Sequence, residues 1–138
     1  MPGASSRTQS KKSIRTARER QAAYRASSAN SKFKRVSRKQ INAVVRKIVD
    51  EFNPEKVILF GSYAYGKPNV DSDVDLLVVM QSNEHRAQRE VKILRKLLDV
   101  PFPMDLLVRT PREIDSRLND EDYFMREVIQ QGRVLYAR

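Results

Sequence analysis

Two short apolar runs constrain the fold of this chain more than any other feature: residues 56–60 (KVILF) and residues 73–80 (DVDLLVVM). Each is too short for a buried helix and rich in Val, Ile and Leu, so each reads as a strand covered on both faces. A third run of the same kind spans residues 104–109 (MDLLVR). The segments between them carry helical periodicity instead. Ser37 is placed to cap a helix whose apolar positions are Ile41, Val44, Val45, Ile48, Val49 and Phe52, and Pro54 ends it. Residues 83–99 carry Val91, Leu94, Leu97 and Leu98, read as one apolar stripe facing the core. Thr110-Pro111 starts a helical pattern that runs through Ile114, Leu118, Phe124, Val128 and Ile129 to a stop at Gly132. Val134-Leu135-Tyr136 reads as a last short strand. Helices alternating with three to four strands give an α/β (α+β) fold, a sheet flanked by helices.

The charge of the chain is divided unevenly. Of its 27 Lys and Arg, 12 fall in residues 1–40, where Glu19 is the only acid; residues 41–138 hold the other 15 against 16 acids. Residues 1–35 have few large apolar side chains and cannot offset the entropy of ordering them, so they are expected to be a disordered basic tail. The ordered domain is expected over residues 36–138. The tail has three open readings: non-specific contact with nucleic acid phosphates, a targeting segment, or a dispensable solvated extension. The chain has no cysteine, which rules out disulfides, thiolate metal ligands and cysteine nucleophiles. No apolar run approaches the roughly 20 residues of a membrane span. A cytoplasmic setting without membrane contact is the expectation.

Chemistry gathers at the first two strands. Gly61 breaks the 56–60 run and lets the backbone turn sharply towards a phosphate, and Ser62 begins a helical turn with free N–H groups. Lys67 follows closely enough to add a positive charge. Asp73 and Asp75 are two apart on a strand and leave the same face. Adjacent carboxylates repel, and a divalent cation relieves that repulsion; oxygen ligands alone suit Mg²⁺ or Mn²⁺ better than zinc. Asp105 opens the third strand and joins the pair if the two strands are neighbours. Three carboxylates and a triphosphate suffice for two-metal phosphoryl or nucleotidyl transfer.

Other motifs fit less well. Gly61 to Lys67 has the spacing of a P-loop, but Pro68 stands where that motif needs Ser or Thr and a continuing helix. His85, the one histidine, reads as a solvated surface residue. Tyr63 and Tyr65 are more simply core-packing side chains than base-stacking ones.

Gly61-Ser62, ten residues, then Asp73-Val74-Asp75 resembles the minimal nucleotidyltransferases of the DNA polymerase β superfamily. Asp105 in MDLLV, RTPREI and FMREVIQQGRVLY extend the resemblance over roughly residues 38–137. It implies a mixed sheet flanked by helices, with Gly61 and Ser62 holding the β and γ phosphates and Asp73, Asp75 and Asp105 holding two Mg²⁺. It also implies transfer of AMP from ATP to a hydroxyl. Many small members pair with a helical HEPN-domain toxin as its antitoxin, and some adenylylate a tyrosine of that partner. The alternative is a non-catalytic partner that neutralises by contact. Members often carry Arg where this chain has Tyr65; Lys67 could supply the missing cation.

Overall fold

The computed structural model describes residues 34–138. The expected basic tail, all but Lys34 and Arg35 of it, lies outside the described residues.

The elements run α1 (Arg38–Phe52), β1 (Lys56–Phe60), α2 (Ser62–Tyr65), β2 (Val74–Val79), α3 (Arg86–Lys96), β3 (Met104–Arg109), α4 (Pro111–Asn119), α5 (Tyr123–Gln131) and β4 (Arg133–Ala137). Among the described residues the strands form one mixed sheet in the order β3-β2-β1-β4. β1 is antiparallel to both neighbours, and β2 and β3 are parallel. The parallel pair requires a crossover, and α3 supplies it. No helix among the described residues is long and apolar enough to cross a membrane.

Period-two alternation divides the core between the two faces of the sheet. Val57 and Leu59 of β1, Val74, Leu76 and Val78 of β2, and Met104, Leu106 and Val108 of β3 pack with Ile41, Val44, Val45 and Ile48 of α1 and Ile93 of α3. The other set, Ile58, Phe60, Leu77 and Val79, packs with Ile114 of α4 and Met125 and Val128 of α5. Asp75 and Asp105 therefore belong by alternation to the α4–α5 face.

The helix starts are chemically specified. Ser37 accepts from the Gln40 N–H while the Gln40 side chain accepts from the Ser37 N–H, a capping box. Thr110 and Glu113 form a second box at α4, with Pro111 at the first helical position. Two expectations need correction. The apolar stripe of α3 is only half as expected: Leu97 is buried and Leu94 packs on the core, but the other inward positions are Arg89 and Ile93, whereas Val91 is exposed and Leu98 is 83% exposed. Arg89 can take a core-facing position because its guanidinium is satisfied, donating to Glu113 Oε1 at 2.6 Å and to the Glu84 carbonyl at 2.8 Å. The second correction concerns the pattern after Thr110, which is two helices. Glu121 adopts a left-handed φ of 58°, and Asp122 caps α5 by accepting from the Met125 N–H. The last strand is β4, as expected, and it forms the edge beside β1.

Candidate active site

The parallel register of β2 and β3 sets Asp75 directly opposite Asp105. This adjacency was conditional in the sequence, and the register supplies it. Asp73 lies two residues before Asp75 at the start of β2 and is buried, 6% exposed. The Val74 N–H donates to the Pro103 carbonyl at 3.1 Å and ties that start to the beginning of β3. Asp75 and Asp105 are half-buried. Among the described residues no group of three or more carboxylate or imidazole side chains is drawn into a ready-made metal cluster.

Gly61 meets the carboxylate pair from β1. Its φ of 74° and ψ of −159° lie in a region almost confined to glycine. A methyl group added at its α carbon would fall on Oδ2 of Asp75. Two constraints therefore select glycine here: the backbone conformation and the close approach of a carboxylate. The Gly61 carbonyl accepts from the N–H groups of Ala64 and Tyr65, closing the single turn of α2. The N–H groups of Ser62 and Tyr63, first in that turn, have no intrahelical acceptor. Ser62 is half-buried, and Lys67 is exposed just beyond Gly66.

The two tyrosines of this loop divide their roles. The hydroxyl of Tyr63 accepts from the Val36 N–H at 3.2 Å, and its ring packs on the α1 side of the core. Tyr65 is 40% exposed. Burial of its ring pushes the hydroxyl above the usual tyrosine range; the Gly61 backbone acts the other way, and the Glu127 and Asp75 carboxylates add to the upward push. Tyr65 thus lies within electrostatic reach of Glu127 on α5 and of Asp75.

α5 contributes residues to the site region that the sequence did not assign there. Phe60, the antiparallel partner of Asp75, meets Phe124 edge to face at 5.7 Å between ring centroids. Glu127 lies three residues on from Phe124, on the adjoining part of the same helix face. The signal was present in the burial phase of α5: Met125 and Val128 turn inward, which leaves Phe124 and Glu127 to border them. His85 caps α3, its Nδ1 accepting from the Ala87 N–H at 3.2 Å, and takes no part in this region.

The donor set fits a hard cation. Asp73, Asp75 and Asp105 offer oxygen only, and such ions are commonly held by one or two carboxylates together with substrate phosphate oxygens. The tight approach of Gly61 to Asp75 keeps the turn after β1 against that carboxylate.

Residues 40–138 match the model of the polymerase beta nucleotidyltransferase family. The chain belongs to that family. A protein of Methanocaldococcus jannaschii named "Putative protein adenylyltransferase" is 34% identical over 83 residues, which are 59% of this chain and 78% of the relative. A crystal structure described as "a putative nucleotidyltransferase from Sulfolobus solfataricus" superposes with a TM-score of 0.53 at 22% identity. That match covers 72% of this chain and 79% of the other, and it supports the fold.

Proposed function

We propose that this nucleotidyltransferase-family protein moves AMP from ATP to a hydroxyl group of a partner protein, with Mg²⁺ bound by Asp73, Asp75 and Asp105. The observation that carries the reading is the register of Asp75 on Asp105, with Gly61 pressed against Asp75 from the neighbouring strand. The name of the Methanocaldococcus jannaschii relative supports a protein as acceptor.

In this reading the acceptor oxygen forms a bond to the α-phosphorus, and the bond from that phosphorus to the bridging oxygen of the β-phosphate breaks. Pyrophosphate leaves with the electrons of that bond, and the hydroxyl proton passes by way of Asp105 to water. Bound Mg²⁺ supplies charge neutralisation for the triphosphate and acidifies the attacking hydroxyl. The chain's own residues do the positioning. Gly61 allows the backbone to approach the β and γ phosphates, and the first N–H groups of α2 with the Ser62 hydroxyl donate to them. Lys67, exposed beyond the turn, adds a mobile positive charge. Asp105, on the strand farther from the Gly61 turn, would orient the acceptor hydroxyl.

The proposed partner is a helical HEPN-type protein, with this chain as the antitoxin of the pair. Co-expression with the product of the neighbouring gene tests that setting: α-labelled ATP should label the partner, and Asp73→Asn or Asp75→Asn should abolish the label. A second reading draws on Tyr65, a phenol facing Glu127 and Asp75 where family members often carry a cation. In that reading the protein neutralises by contact, and the Asp73→Asn and Asp75→Asn proteins would protect cells as fully as the wild type.

A further inference from the structure

Phe124 is one of several exposed large apolar side chains on or near α5, with Tyr65, Tyr123 and Ile129, and it is set apart by what its ring packs against. It is 49% exposed, yet its ring is fixed against Phe60, which is buried and lies opposite Asp75 in the sheet. Phe60 also precedes Gly61, so Phe124 borders the side of the site where the phosphate turn begins, away from Asp105 on β3. Glu127, exposed and three residues on from Phe124, lies on the adjoining part of the same helix face, and its carboxylate acts on the Tyr65 hydroxyl.

A nucleoside triphosphate held by its phosphates at Gly61 and Ser62 must place its base against some nearby surface. An aromatic ring held edge-on by a second ring offers one rigid face for stacking, with little entropy left to lose. A carboxylate beside it accepts hydrogen bonds and donates none. Adenine, cytosine and guanine each carry an exocyclic amine that donates. Uracil has no exocyclic amine; its one donor on that edge, N3–H, is flanked by two carbonyl oxygens that a carboxylate repels.

We propose that Phe124 and Glu127 of α5 form the nucleobase subsite, with Phe124 stacking on the base and Glu127 selecting bases that bear an exocyclic amine. This rests on the nucleotidyltransferase reading above and adds to it the residues that choose the nucleotide. Tyr65, 40% exposed in the turn that follows Gly61, borders the subsite on the side of the phosphate turn.

Equilibrium binding of ATP, UTP and inorganic triphosphate, each with Mg²⁺, tests the proposal on the full chain. Wild-type protein should bind ATP roughly tenfold or more tightly than UTP, the scale of one hydrogen bond to a charged group. Phe124→Ala should weaken ATP by roughly tenfold or more, the loss of one stacked base, and leave inorganic triphosphate unchanged. Phe124→Tyr should retain the wild-type affinity, which separates stacking from a general loss of structure. Glu127→Gln, which adds a donor, should narrow the gap between ATP and UTP without weakening triphosphate. Equal binding of ATP and UTP by the wild type, or a Phe124→Ala protein that binds ATP normally, would overturn the subsite while leaving the parent reading intact. Failure to bind ATP and triphosphate alike would sink both.

Discussion

Gly61→Ala should damage this protein through two separable effects, and the structure gives the means to separate them. Alanine at φ 74° and ψ −159° occupies a backbone region nearly closed to side chains, at a cost of about 1–3 kcal/mol. The added methyl group also lands on the Asp75 carboxylate, which must move away. Residues in direct contact couple by about 0.5–3 kcal/mol, so the full loss in the wild-type background is about 1.5–6 kcal/mol. In an Asp75→Ala background the carboxylate oxygens are gone. The nearest remaining atom there is Asp75 Cβ, at 3.4 Å from the new methyl group, which is an ordinary contact. The cost of Gly61→Ala should then fall to the backbone part alone. Urea unfolding followed by circular dichroism, on the four proteins of the cycle, measures the difference. Equal costs of Gly61→Ala in both backgrounds would refute the claim that the loop glycine is pressed against the Asp75 carboxylate. Gly66→Ala serves as a comparison: its φ of −123° suits any residue and its methyl would approach the Ser62 backbone at 3.0 Å, so a smaller loss is expected.

Ile93→Ala should cost about 2–5 kcal/mol as a core truncation, while Val91→Ala should stay within about 0.5 kcal/mol; denaturant midpoints of the two proteins check the phase of α3. Arg89→Met should cost about 2 kcal/mol, because Glu113, 37% exposed, can recover part of its lost partner from water. The same ion pair gives a pH dependence. Burial works to raise the Glu113 pKa, but the bonds from Arg89 and the Thr110 N–H outweigh it and hold the carboxyl below its ordinary value of 4.5. A depressed folded-state pKa gives stability that is present above the ordinary value and is lost as the pH falls through the folded one. Thermal midpoints taken from neutral to acid pH should therefore drop less in Arg89→Met than in the wild type, with most of the difference appearing below about pH 5.

The sequence carried the site further than it carried the helices around it. Strands 56–60 and 104–109 could be bounded because each is a run of apolar residues ended by glycine or proline chemistry. Asp75 and Asp105 could be named as potential neighbours, but their pairing depends on β2 and β3 being adjacent and parallel, a long-range choice with no local signal. Of the expected α3 stripe, Leu94 and Leu97 face the core and Val91 and Leu98 do not, for a physical reason. Hydrophobic counting assigns Val91 and Leu98 inward and Arg89 outward, whereas the real helix buries Arg89 because Glu113, on a distant helix, satisfies it. Likewise the break at residues 120–122 depends on a left-handed Glu121 that composition does not specify. Phe124 and Glu127 were legible only as a half-apolar helix face. Their place beside Phe60 and Tyr65 is set by how α5 packs on the sheet.

Label transfer from ATP tests the central claim most directly. The purified protein, the proposed partner and Mg²⁺ are incubated with ATP labelled at the α-phosphate and, in parallel, at the γ-phosphate. Nucleotidyl transfer through Asp73, Asp75 and Asp105 predicts α label on the partner, γ label in pyrophosphate alone, and no protein label with Asp75→Asn or Asp105→Asn. Protein labelled from the γ-phosphate, or α label undiminished in both variants, would contradict it.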